Sequence, residues 1–128
     1  MKKIFLLFFV LMLLTACNNQ EGISLQATLD TFEENGIQLE EVRNGDSETF
    51  GMKLNGVKPS TYSFNNETFF IYIFNDIEER KEGWEDFYNL TASKNTVNYD
   101  KFEEKNLLIF HVYDTKSNIN INQILDNL

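Results

Sequence analysis

The chain has 128 residues, with 20 acidic and 11 basic side chains and a formal net charge of −9. That length holds one domain rather than two, and the acid excess, with no basic patch interleaved with aromatics, excludes a nucleic-acid backbone as partner. One cysteine and one histidine are too few for a structural zinc site or a disulfide framework.

The first stretch reads MKKIFLLFFVLMLLTACNNQ. Lys2 and Lys3 precede an unbroken apolar run of eleven residues, Ile4 to Leu14. As helix the run would reach only about 16 Å, at roughly 1.5 Å per residue. A bilayer core takes about 17–25 residues, so the run fits a secretory signal better than a permanent span. It closes on Leu14-Thr15-Ala16-Cys17, small residues ahead of the one cysteine.

These residues resemble the lipobox of bacterial lipoproteins. The resemblance implies cleavage after Ala16 and a diacylglyceryl group, with fatty acids such as palmitate, in thioether linkage on Cys17. Two acyl chains hold firmly where one binds reversibly. No other cofactor is expected. The implied location is the cell membrane, lipid-anchored on its extracytoplasmic side. Residues 1–16 are then the signal peptide, 17–24 the lipidated N-terminus and tether, and 25–128 the globular domain. Removing residues 1–16 takes away two lysines and no acid, so the formal charge moves from −9 to −11.

Behind the tether, Ser24 is a helix cap, and Leu25, Leu29 and Phe32 form one apolar stripe. They predict a helix over 25–35, stopped at Asn35-Gly36. Alternation from Ile37 to Val42 predicts a short strand, followed by a turn over Arg43-Asn44-Gly45-Asp46. Phe50, Met52 and Leu54 alternate into Asn55-Gly56, a hairpin turn signal. Tyr62 and Phe64 lead to a second turn at Asn65-Asn66. The run from Phe69 to Phe74 is apolar at every position, so it belongs at the centre of the sheet, covered on both faces.

Asn75 and Glu78 make a capping-box pattern for a helix over 76–90. Its apolar face is Ile77, Trp84, Phe87 and Tyr88, with Arg80, Lys81 and Glu82 toward water. Gly83 in its middle costs about 0.8–1.0 kcal/mol against Ala. Val97 and Tyr99 open a strand that turns over Glu103-Glu104-Lys105-Asn106. LLIFHVY, from Leu107 to Tyr113, returns as a second interior strand. Ile121, Ile124, Leu125 and Leu128 close the chain as a helix. The fold class is α+β: a single domain, mainly antiparallel sheet, with helices packed on one face.

No motif assigns a catalytic residue. His111 shares a strand face with Leu107, Ile109 and Tyr113, and its plain reading is a hydrogen-bonded sheet histidine. The acidic clusters read as solvated faces and helix starts. No phosphate loop, calcium loop or serine-nucleophile motif is present. Trp84 and Tyr88, one helical turn apart, are the candidate partner-binding residues. Beyond the lipobox, the domain resembles small uncharacterised lipoproteins of low-GC Gram-positive bacteria, a likeness that implies no site. The functional expectation is a lipid-anchored extracytoplasmic binding or adaptor lipoprotein, whose partners are the membrane and an envelope protein or peptide. The alternatives are a cell-envelope hydrolase using paired carboxylates and His111, and an acidic inhibitor or immunity-type protein.

Overall fold

The computed structural model describes residues 22–43 and 48–128; the signal segment, Cys17 and the turn at 44–46 lie outside the described residues. The first helix, α1 (Leu25–Glu34), starts where Ser24 Oγ accepts the Ala27 N–H at 3.0 Å. It stops where Gly36, at φ +80°, lets its own N–H reach Glu33 O and the Ile37 N–H reach Phe32 O, both at 2.9 Å. Only a residue without Cβ takes that backbone turn cheaply. The inward face carries Phe32 with Thr28 and Thr31. Each threonine hydroxyl donates to the carbonyl four residues back, at 2.9 Å, so neither is buried unpaired.

Five strands follow: β1 (Glu40–Glu41), β2 (Ser60–Phe64), β3 (Glu67–Ile73), β4 (Tyr99–Glu104) and β5 (Leu107–Val112). They form one sheet in the order β1-β2-β3-β5-β4 with every neighbour antiparallel. The two apolar runs are its adjacent interior strands, as their composition requires. Asn65 and Asn66, at φ 49° and 63°, make the tight β2–β3 turn, whose left-handed backbone matches the twist of the strands. The α+β class, single sheet and antiparallel pairing are those read from the sequence.

The placement of the helices differs from the expectation. α1 and the terminal helix α3 (Ile121–Leu125) pack with Phe69, Ile71, Leu107 and Ile109. The middle helix, α2 (Ile77–Thr91), sends Phe87 into the other cluster, with Phe70, Tyr72, Leu108 and Phe110. Helices therefore lie on both faces rather than one. The cause is in β3 and β5 themselves, which are apolar at successive positions and leave no face for water.

Three strand expectations are also corrected. The strand over Ile37–Val42 shrinks to Glu40–Glu41, because the Ile37 N–H already closes α1. Phe50 to Leu54 is not a strand: only Leu54 bridges Val57, across the Asn55-Gly56 turn. The Tyr72 hydroxyl lies 2.6 Å from the carbonyls of both Phe50 and Met52, and Asp86 accepts the Asn55 N–H at 2.8 Å. Those bonds hold the segment as a lid over the sheet, with Phe50 and Leu54 buried. Burial pushes the Tyr72 phenol well above its ordinary pKa. Finally, Glu103 and Glu104 pair within β4, so that hairpin turns at Lys105-Asn106 alone.

α2 starts one residue later than its capping pattern suggests. Asp76 accepts the Glu79 N–H at 2.8 Å, and Glu79 accepts the Asn75 N–H at 3.2 Å. Gly83 has a packing reason: a Cβ there would stand 2.4 Å from the end of the buried Phe74 ring. Arg80 does not face water as expected. Its Nη1 donates to Lys105 O at 2.6 Å and its Nη2 sits 3.7 Å from Glu103, tying α2 to the β4–β5 turn.

Candidate functional site

The sequence points first to Trp84 and Tyr88. α2 sets their rings side by side, centroids 6.4 Å apart. Their roles differ, however. Trp84 is half-buried, stacked on Phe87 at 5.8 Å, with the Lys101 ammonium 3.7 Å above its ring. Tyr88 is 63% exposed, off the stripe that Gly83 and Phe87 bury. An aromatic left that open on a packed helix is available to a partner at little desolvation cost.

A second group of residues gathers on the opposite face of the β3–β5 pair, and sequence reasoning missed most of it. Glu67, at the start of β3, is only 2% exposed. Its carboxylate accepts the Ser117 N–H and the Ser117 hydroxyl, each at 2.7 Å. His111 Nε2 lies 3.4 Å from the same carboxylate, a long polar contact. The imidazole stacks on Phe69 with centroids 4.5 Å apart and planes within 4°. His111 thus stays close to its plain reading as a buried sheet histidine, with the Glu67 carboxylate as the polar partner of its ring. Asp100, its cross-strand neighbour, pairs with Lys116 at 2.6 Å, and that bond raises the Lys116 ammonium.

The signal for Glu67 was parity. It stands two residues before Phe69 and four before Ile71, on the face that α1 covers, where a lone acid must find buried donors. Ser117, in a loop of Asp, Thr, Lys and Asn, carried no such signal. Chemically the arrangement is a buried carboxylate that clamps a loop and borders an imidazole. The Ser117 hydroxyl donates to Glu67 rather than to His111, so the histidine does not activate that hydroxyl in this geometry. Among the described residues no cluster of three or more His, Cys, Asp or Glu side chains is placed to hold a metal ion, and no helix is long and apolar enough to cross a membrane.

No protein-family model, curated protein or solved structure matches this chain, so no residue role carries over from a relative.

Burial lowers the His111 pKa from its ordinary 6.5, with Glu67 and Asp100 pulling the other way. The unfolded chain then takes up a proton near pH 6.5 that the folded protein refuses. Stability is full above that value and falls as the pH drops from it toward the lower folded value. Urea midpoints should decline as the pH falls below the ordinary histidine value, and the decline should shrink in His111→Phe. Equal slopes in the two proteins would show that His111 is not the group responsible.

Proposed function

We propose that the chain is a lipid-anchored binding or adaptor domain of the cell envelope, held by Cys17 on the outer side of the cytoplasmic membrane and meeting a protein or peptide partner. The observation that carries this reading is the charged start, eleven-residue apolar run and lipobox ending at Cys17. Support for a short, directed tether comes from Ile23, six positions after Cys17, which is already buried in the fold. The chain between them spans at most about 20 Å. Support for the partner comes from Tyr88, whose ring is open to solvent beside Trp84.

Replacing the sulfur tests the anchor. Cells fed labelled palmitate should place label on the wild-type protein and none on Cys17→Ser, which should also keep its signal segment. A labelled Cys17→Ser protein in the membrane fraction would end the lipoprotein reading. The partner arm uses a photoreactive phenylalanine at Tyr88, with the exposed Glu40 position as control. A discrete protein adduct is expected at position 88 and not at 40; adducts at neither position, or equally at both, would count against a partner at this helix.

A further inference from the structure

Between β5 and α3 the chain runs without helix or strand over residues 113–120. Its hold on the sheet is narrow. Lys116 pairs with Asp100 on β4 at 2.6 Å, and Ser117 gives its N–H and its hydroxyl to Glu67 on β3, each at 2.7 Å. Among the described residues, no backbone–backbone hydrogen bond ties residues 114–119 to the sheet. The polar ties therefore all end on carboxylates. Ile119, the one apolar side chain of the segment, packs at the margin of the cluster beneath α1. β5 lies between β3 and β4, so two consecutive residues reaching to either side of it carry the segment across β5. His111 sits on the face that is crossed. It is in register with Asp100 on one side and Phe69 on the other, and it is fully buried.

We propose that residues 114–119 are a strap that lifts from the sheet when His111 takes up a proton, while the sheet stays folded. The charges around the imidazole are divided so that lifting favours the proton. The sheet supplies two acids that favour an imidazolium, Glu67 at 3.4 Å from Nε2 and Asp100 on the neighbouring strand. The strap supplies the Lys116 ammonium, which opposes it, and adds to the burial that opposes it most. Tyr113, at the foot of the strap, stands beside the ring with centroids 5.1 Å apart. The acids of α1, Asp30, Glu33 and Glu34, are exposed, and α3 has no ionisable side chain. With the strap lifted, water reaches the imidazole, both acids stay and the lysine leaves. The open form then binds the proton more tightly than the closed one, so acid favours opening. The sheet need not follow, because β5 keeps its pairs with β3 and β4. The strap goes beyond the binding reading above and depends on neither the anchor nor a partner.

Amide exchange of the ¹⁵N-labelled full chain in detergent micelles tests the strap, with each rate divided by its intrinsic value at that pH. The range is about pH 8 to 5, in which histidine changes charge. The Ser117 amide should lose protection as the pH falls, at most about tenfold per pH unit for one linked proton. The Ile109 amide in β5 should keep its protection throughout. His111→Phe keeps an aromatic ring beside Phe69 and takes no proton, so its Ser117 protection should not change with pH. Should that variant not fold, the His111 ring resonances of the wild type decide, since they should titrate together with the loss at Ser117. The proposal is overturned by Ser117 protection that is level with pH in the wild type, or by Ser117 and Ile109 losing protection together. The same loss in His111→Phe, or a loss at a pH where the His111 resonances stand still, overturns it equally.

Discussion

Replacing Glu67 by Ala should destabilise the protein by about 3 kcal/mol or more. The carboxylate holds two short bonds from Ser117 and borders His111 in a site closed to water. Burying a charge is itself expensive, so removal brings one gain, the relief of desolvation. The losses are larger. They comprise two charge-assisted hydrogen bonds at about 1.5–3 kcal/mol each, a donor N–H left open beneath the loop, and a cavity. For a domain of this size each kcal/mol shifts the melting temperature by roughly 4–8 °C, so a fall of about 12 °C or more is expected. Glu67→Gln should lose roughly half as much, since its carbonyl still accepts from Ser117 while its NH2 faces a donor. Calorimetry on the three proteins checks the order. An Ala variant as stable as wild type, or a Gln variant worse than Ala, would mean that the clamp on Ser117 contributes nothing.

That residue also marks where sequence reading stops. Local signals were legible because they act over a few residues. Ser24 and Gly36 bound α1, and Asn65-Asn66 and Asn55-Gly56 adopt the left-handed turns their chemistry favours. The interior strands were legible because apolar runs such as Phe69 to Phe74 and Leu107 to Phe110 admit no other place. What failed was everything decided by a distant partner. The alternation of Phe50, Met52 and Leu54 is real, and two of the three are buried, yet the carbonyls of Phe50 and Met52 go to Tyr72 instead of a neighbouring strand. Arg80 was assigned to water because its helix neighbours are charged, but its target carbonyl lies 25 residues on. The candidate site divides the same way. Trp84 and Tyr88 were visible as a helical pair, whereas the buried carboxylate group needs Glu67, His111 and Ser117, joined across 50 residues by contacts without local periodicity.

The same dependence on distant contacts makes Asn106 the second sensitive position. It sits at the β4–β5 turn and is 4% exposed. Its Oδ1 accepts the Ile23 N–H at 2.6 Å, and its Nδ2 donates to Ile23 O at 2.9 Å and Phe74 O at 2.8 Å. One side chain therefore stitches the start of the domain to the end of β3. Asn106→Ala should cost about 2–3 kcal/mol, three ordinary hydrogen bonds less what water recovers when the N-terminal segment lifts away. Hydrogen exchange locates the loss: the Ile23 amide should pass from slow to fast exchange, while amides in β3 and β5 stay protected. Asn106→Asp separates bonding from size. It keeps an acceptor for Ile23 but points carboxylate oxygen at two carbonyls, so it should be at least as damaging as Ala. An Ile23 amide still protected in Asn106→Ala would show that the stitch is not what holds the segment down.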